Sequence, residues 1–474
     1  MTKDLRLNHI ATIILAAGKG TRMKSDLVKV LHPILGLPML SYPVELSLNE
    51  IEAEKTIMVV GHQADQIKKR FEDPRIDFVL QDEQLGTGHA VLQALPLLHG
   101  FTGTVLILCG DVPLVKVETL RCFIDTFSRN DSTLAVLTAL VKDPYGYGRI
   151  IRGPEGWLER IVEEKDASDE ERLIREINTG IFCVRSTFLI EGLREIGKEN
   201  AQGEYYLTDL VEVARKRDLR CSAHMVADPV EVMGINTRVD LATASEALRQ
   251  EKIKELMLAG VTIIDPRTTY LDRTVEIGKD TTLYPNCTLQ GKTRIGERCV
   301  IEPNSKISDT EIGDGVTIRS YSVITESRIE DEATIGPFAH LRPLSEVKAK
   351  AKIGNFVEVK KSIIGKGSKA NHMAYIGDSL IGEEVNIGAG TITCNYDGFE
   401  KHQTIIGDRA FVGSNVELVA PVKVGSRSSI GAGTTVTKDV PEGALAISRV
   451  KQKNIRGWSK KMELHHEKNR KKKD

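Results

Sequence analysis

Two periodicities divide the chain. From about residue 8 to 230, short runs of β-branched and aliphatic residues alternate with stretches of helical spacing. TIILAAG, KTIMVVG and GTVLILCGD read as strands, and ADQIKKRF and VETLRCFIDTFSR read as helices. That alternation predicts an open, mostly parallel α/β sheet. Ligands on such sheets bind beyond the carboxyl ends of the strands. The loops that end TIILAAG, FVLQDEQLGTG and VLILCGD fall at such ends. Residues 237–260 then keep one amphipathic stripe, Leu241, Ala244, Leu248, Ile253 and Leu256, with Gly260 as the stop of a linking helix.

From 261 the beat changes to six. Aliphatic residues fall at 277, 283, 289, 295, 301 and 307, and glycine follows directly in IGKD, IGER, IGDG, IGNF, IGAG and VGSN. A hexapeptide repeat predicts a parallel β-helix, with three hexads per coil and the aliphatic residue pointing inward. Glycine is expected to turn the corners. Ten coils at a strand spacing of ~4.8 Å would make a rod of about 50 Å. Periodicity does not give its handedness. One insertion, TCNYDGFEKHQ at 393–403, breaks the beat, and long loops on regular scaffolds often carry function. The resulting division is 1–236, 237–260, 261–450 and a basic tail, 451–474, expected to be solvated and disordered.

Composition narrows the class. A chain of 474 residues with 41% hydrophobic and 28% charged content fits a soluble protein of two or three domains. A formal net charge of −1 provides no field to recruit nucleic acid or an anionic membrane. The start, MTKDLRLNHIATIILAAG, lacks the layout of a secretory signal. No stretch approaches the ~20 apolar residues of a membrane span. Seven scattered cysteines without zinc spacing point to a reducing cytoplasm.

Candidate chemistry in the first half begins with LAAGKGTRM. It is neither a P-loop nor a full GxGxxG fingerprint. A glycine loop still lets backbone N–H groups approach phosphates, and Arg22 and Lys29 add positive charge. Asp111, after the strand in VLILCGDVP, could cap the next helix or hold Mg²⁺, which prefers hard oxygens and few protein ligands. QLGTGHA offers a second glycine loop able to admit a flat base. Gly148, Glu163 and Asn178, in GYGRI, IVEEKDA and EINTG, could bond a sugar.

Together LAAGKGTRM, Lys29, QLGTGHA, GDVP, GYGRI, EINTG, GEYYLTD and GIN resemble one half of a bacterial enzyme family. That family is the bifunctional UDP-N-acetylglucosamine pyrophosphorylase and glucosamine-1-phosphate N-acetyltransferase. The likeness spans the chain except its tail. It implies a Rossmann-like nucleotidyltransferase sheet followed by a left-handed parallel β-helix. Leu15, Ala16, Ala17 and Gly18 would then contact the uridine nucleotide, with Arg22 and Lys29 on its phosphates. Gln81, Gly86 and Thr87 would read uracil, and Gly148, Glu163 and Asn178 would hold N-acetylglucosamine-1-phosphate. Asp111 and Asn236 would bind Mg²⁺, with UTP as co-substrate. Two departures from the family, Val28 before Lys29 and Cys109 before Gly110, remove no charge and predict altered packing alone.

In the second half LRP, FVEVKKS, SKANHMAYIGD, NIGAGTITCNYDG, VGSN, IGAGTTV and ALAISRV resemble the acetyltransferase of the same family. Acetyl transfer to a sugar amine requires loss of a proton, and histidine suits that task. The resemblance makes His372 the general base. It places Arg342 and Lys360 on the phosphate of glucosamine-1-phosphate, Tyr375 on the sugar, and Asn386 on the acetyl group or sugar. Ala389, Asn395, Tyr396, Ser414, Ala432 and Arg449 would line the acetyl-CoA site. A covalent acyl-Cys394 route is not needed, because direct transfer requires one base. A homotrimer with acetyl sites between neighbours is implied. The rival readings are a nucleotidyltransferase whose β-helix only assembles it, and a non-catalytic subunit that keeps both folds.

Overall fold

The computed structural model describes residues 9–153, 156–448 and 450–470. The chain divides into two compact units between Lys252 and Ile253. Each is built on a different sheet logic.

The first unit is organised by one mixed sheet. Its strands run, edge to edge, Cys221–Met225, Leu134–Leu140, Glu176–Arg185, Thr104–Cys109, Ile10–Ala16, Lys55–Val60 and Ile76–Leu80. The last four pair in parallel, as the alternating pattern predicts. Glu176–Arg185 instead runs antiparallel to both its neighbours, with a bulge between Asn178 and Phe182. The central strand Ile10–Ala16 is buried on both faces: Ala11 and Ile13 join one hydrophobic cluster, Ile10, Ile14 and Ala16 the other. A hairpin of Arg149–Arg152 and Leu158–Val162 branches from the antiparallel strand. The helices Ala64–Arg70 and Val117–Arg129 form where their sequences predict.

The helix Arg238–Leu258 carries the chain onward. Leu241, Ala244 and Leu248 pack with Ile34, Met39 and Tyr42, while Ile253 and Leu256 join the core of the second unit.

The second unit is a three-walled prism of parallel sheets with eleven, ten and nine strands among the described residues. Each strand pairs with its counterpart one coil on, as Thr282 with Val300 and Lys306 with Val323. The inward hexad positions Leu283, Leu289, Ile301 and Ile307 are fully buried.

Two expectations need correction. Except at Gly336 (φ 92), the glycine after an inward aliphatic of these hexads does not turn the corner by a left-handed φ. That conformation falls two residues later, on Asp280 (φ 60), Arg298 (φ 55), Glu384 (φ 53) and Arg427 (φ 56). The glycine is required for stacking: a Cβ on Gly278 would sit 2.7 Å from the Gly296 backbone of the next coil. The tail also differs, because Trp458–Arg470 forms a helix with no buried residue. Good helix formers follow Gly457, which takes φ 70 immediately before that helix begins.

Candidate active sites

In the first unit the site starts where Ile10–Ala16 ends. Ala16 and Ala17 are buried, Leu15 is half-buried, and Gly18 is exposed. Nothing stands within 4 Å of a Cβ placed on Gly18, so its backbone is open to a ligand. Gly20 is constrained by φ +60, and a Cβ there would collide with the side chain of Lys29. This glycine therefore lets the two basic residues of the loop converge.

Arg22 Nη2 donates to Asn236 Oδ1 at 2.9 Å, and Lys29 Nζ donates to the same oxygen at 3.2 Å. Lys29 Nζ also makes a short ion pair with Asp111 Oδ2. Four residues spread over more than 200 positions thus meet at one point. The segment carrying Asn236 is tied there by Ile235 N, which donates to Asp111 O at 2.9 Å, and by Asp240 Oδ2, which accepts from Asn236 N and Thr237 N. Asp111 caps no helix: the helix Val117–Arg129 has Lys116 at its N-cap without a side-chain bond. Asp111 Oδ2 and Asn236 Oδ1 both reach one ammonium group, so they also fit a small hard cation of few protein ligands. Among the described residues there is no cluster of three or more His, Cys, Asp or Glu able to hold a metal.

The base-reading candidates gather beside this cluster in sequence order. Gln81 is buried, and its Nε2 donates to Gly86 O at 3.1 Å. Gly86 has φ +108 and a Cβ there would meet Tyr205 O at 2.5 Å. Thr87 Oγ1 accepts from Leu207 N at 3.1 Å, and Gln84 Nε2 donates to Ala17 O at 3.2 Å, so GEYYLTD and the first glycine loop both brace QLGTG.

The sugar candidates also converge. Asn178 N donates to Gly148 O at 2.8 Å. A Cβ on Gly148 would stand 3.3 Å from both Glu163 carboxyl oxygens, so only glycine leaves that carboxyl open. Burial pushes the Glu163 carboxyl up, while Thr208 Oγ1, donating to it at 3.0 Å, opposes the shift. Val28 is buried. Cys109 lies against Gly180, its thiol pushed up to about 12 by burial. Both departures act within the packing.

In the second unit His372 ends the strand Lys369–His372, in register with Asn355 one coil below. Its Nδ1 lies 2.7 Å from Asn355 Oδ1. An amide oxygen there accepts the Nδ1 proton and leaves Nε2 with a free lone pair. Above it the corner rises in small residues. Gly390 N donates to Met373 O, Asn415 N to Ala389 O, and Gly433 N to Ser414 O, at 2.8, 2.7 and 2.8 Å. Ala389, Ser414 and Ala432 therefore stack on successive coils in one column, with His372 at its foot.

Arg342, Lys360 and Tyr375 lie on the neighbouring wall. Arg342 Nη1 pairs with Glu358 Oε1 at 2.9 Å, and Glu358 stands in register with Tyr375, Lys360 with Gly377. Asn386 sits on the His372 wall, beside Lys369. Asn395 Nδ2 donates to the buried Asp378 at 2.5 Å and anchors the insertion, whose Tyr396 is exposed. Arg449 lies outside the described residues.

Several participants escape sequence reasoning. Asn355 carries no motif signal beyond its offset of one coil from His372. Lys401, in the insertion, lies against Lys360, which pushes its ammonium down, with Asp378 and Tyr375 nearby. Tyr147 lies beside Asp111 and Asp240, and burial pushes its phenol up. The buried Arg149 pairs with Glu164 at 2.6 Å and holds the turn that presents Gly148.

Comparison with known proteins agrees with the fold of both units. Residues 12–179 match the MobA-like NTP transferase domain, and 274–309, 292–326 and 403–438 match the bacterial transferase hexapeptide (six repeats). The prism is accordingly a left-handed β-helix. The bifunctional protein GlmU of Geotalea uraniireducens (strain Rf4) is 54% identical over 96% of this chain and 100% of its own length. That of Geobacter metallireducens is 55% identical over 96% and 99%, and that of Geobacillus sp. (strain WCH70) 48% over 95% and 98%. Among solved structures, UDP-glucose pyrophosphorylase complexed with UDP-glucose aligns with a TM-score of 0.43 at 20% identity, covering 51% of this chain and 98% of that one. On the strength of the full-length matches, the chain belongs to the family of the bifunctional protein GlmU.

Proposed function

We propose that the chain makes UDP-N-acetylglucosamine at two active sites, one in each unit. The second unit acetylates glucosamine-1-phosphate with acetyl-CoA. The first joins N-acetylglucosamine-1-phosphate to UMP from UTP and releases pyrophosphate. The product feeds peptidoglycan and lipopolysaccharide synthesis.

In the first unit Leu15, Ala16, Ala17 and Gly18 lie along the uridine nucleotide, and Arg22 and Lys29 take its phosphates. Gln81, Gly86 and Thr87 read the uracil, and Gly148, Glu163 and Asn178 hold the sugar. The sugar phosphate oxygen attacks the α-phosphorus and pyrophosphate leaves. The nucleophile is already an anion, so no base is required. The residues supply alignment and charge neutralisation. Asp111 and Asn236 would hold Mg²⁺, which when bound neutralises phosphate charge.

In the second unit Arg342 and Lys360, joined by Lys401, hold the sugar phosphate, and Tyr375 contacts the sugar. Asn355 keeps the His372 proton on Nδ1, so Nε2 takes the proton from the sugar ammonium. The amine nitrogen then attacks the thioester carbonyl, the C–S bond breaks, the second proton that nitrogen loses on becoming an amide goes to the departing coenzyme A thiolate, and the His372 proton passes to solvent. Asn386 helps hold the acetyl group. Ala389, Asn395, Tyr396, Ser414 and Ala432 line the coenzyme, with Arg449 assigned to its phosphates.

The observation that carries this reading is His372, oriented by Asn355 at the foot of a column of small residues. A β-helix used only for assembly has no need of either. Release of free thiol from acetyl-CoA by pure protein, dependent on glucosamine-1-phosphate, tests it. No release above background removes the acetyltransferase.

We read the protein as a homotrimer. Stacked, exposed Tyr321, Phe338 and Phe356, with centroids 5.0 and 5.3 Å apart, leave an aromatic edge on the prism that favours association. No described helix is long and apolar enough to cross a membrane. We place the reactions in the cytoplasm.

A further inference from the structure

On the reading that Lys29 binds phosphate and Asn236 binds Mg²⁺, we infer that His32 is a positioning residue for uridylyl transfer. Through Arg238 it holds the turn that carries Lys29 to the segment that carries Asn236.

His32 is 3% exposed, and its Nε2 is sealed from solvent with no hydrogen-bond partner among the described residues. An unpaired buried nitrogen is costly, so apolar packing alone does not account for a histidine here. The other nitrogen does. His32 Nδ1 stands 3.1 Å from Arg238 Nη1. A guanidinium only donates, so Nδ1 offers a lone pair. The ring is then neutral, with its one proton on Nε2. A proton on Nδ1 would set donor against donor. Burial first, and then the Arg238 charge, hold the ring's pKa below its ordinary value, with the Leu27 carbonyl opposing. Arg238 in turn begins the helix Arg238–Leu258, where the helix dipole disfavours a cation. Each residue sits where its own surroundings do not favour it, and the bond between them explains both.

That bond joins two segments of the first site. His32 N donates to Lys29 O at 3.3 Å, closing the turn Lys29–Leu31. Asp240 Oδ2, in the first turn of the helix that Arg238 begins, accepts from Asn236 N at 3.0 Å and from Thr237 N at 2.8 Å. The turn of Lys29 and the segment of Asn236 are thus tied through His32 and Arg238. The same two segments meet a second time where Lys29 Nζ donates to Asn236 Oδ1 at 3.2 Å. The working groups themselves make that contact, and it opens when Lys29 turns to a phosphate and Asn236 to a cation. The His32–Arg238 bond uses neither group. It persists with substrate bound and keeps Lys29 and Asn236 at their working separation.

The test measures uridylyl transfer and acetyl transfer in the full-length protein. His32→Leu removes the acceptor and should slow uridylyl transfer by about tenfold to a hundredfold, with acetyl transfer unchanged. Arg238→Met, at an exposed position, should give the same loss without disturbing the core. The double variant should be no slower than either single one, because the two side chains make one tie. His32→Asn returns an oxygen near the Nδ1 position and should stay within about threefold of the parent. A ¹⁵N spectrum of the parent, labelled at histidine, should contain one ring absent from His32→Asn. That ring should be neutral and protonated on Nε2 at about pH 6.5, where an ordinary histidine is half protonated. Full uridylyl transfer in folded Arg238→Met, losses that multiply in the double variant, a loss in His32→Asn equal to that in His32→Leu, or an Nδ1–H ring each overturns the inference. Lys29→Ala separates it from the reading beneath it. If Lys29→Ala abolishes uridylyl transfer while His32→Leu and Arg238→Met do not slow it, only the role of His32 fails. If Lys29→Ala leaves uridylyl transfer intact, the reading of the site fails, and the role of His32 with it.

Discussion

The Nδ1 atom of His372 lies 2.7 Å from Oδ1 of Asn355, one coil below it in the β-helix. This contact decides which ring nitrogen can act as a base. It also shows what the scaffold contributes, since stacking in register brings the two residues together from positions 17 apart.

Asn355→Ala should therefore slow acetyl transfer by about tenfold to a hundredfold with uridylyl transfer unchanged. Asn355→Asp keeps an acceptor at Nδ1 and should retain more activity. Its carboxylate favours the protonated ring, so the acidic limb of the acetyl-transfer rate should move to higher pH. Rates of both reactions across pH check this, and an unmoved limb counts against the contact.

Stacking predicts a contrast between glycine and non-glycine corners. A Cβ on Gly354 would overlap the Asn371 carbonyl of the next coil. Gly354→Ala should cost about 2 kcal/mol or more and displace Asn355 with it. Arg427, exposed with φ 56, needs no such space. Arg427→Gly should be neutral or stabilising by up to about 1 kcal/mol. Melting midpoints of the two variants should therefore move apart.

Asp209 carries a pH signature in the first unit. Burial first, then the carboxylates of Glu212, Glu163 and Asp166, push it up to about 6 from 3.8. A carboxyl raised on folding contributes stability that is complete below about pH 4 and is lost as pH rises through about 6. Asp209→Asn should remove that loss and stabilise the unit near neutral pH by about 1–2 kcal/mol, discounted for partial exposure. Melting of parent and variant at pH 5 and pH 8 reads the effect. An equal gap between them at both values contradicts it.

Periodicity made much of the fold legible. The six-residue step pointed to a β-helix, and it puts Leu283, Leu289 and Ile295 inward from three successive walls and returns to the first wall at Ile301. The strand Glu176–Arg185 was not read as antiparallel, because its sequence gives burial and no direction. The sequence leaves Asp111 open between cap and ligand, and Lys116 at the helix start removes the first reading. Asn355 and Lys401 were missed for one reason. Their roles depend on which coil stacks on which: Asn355 and His372 are 17 residues apart, one short of three hexads, and Lys401 lies in the insertion at 393–403.

Two separate active sites are the central claim, and crossed substitutions measure it most directly. Asp111→Ala and His372→Ala are each assayed for uridylyl transfer and for acetyl transfer in folded protein. Asp111→Ala should abolish the first and spare the second, and His372→Ala should do the reverse. Loss of both activities from either single change would contradict the account.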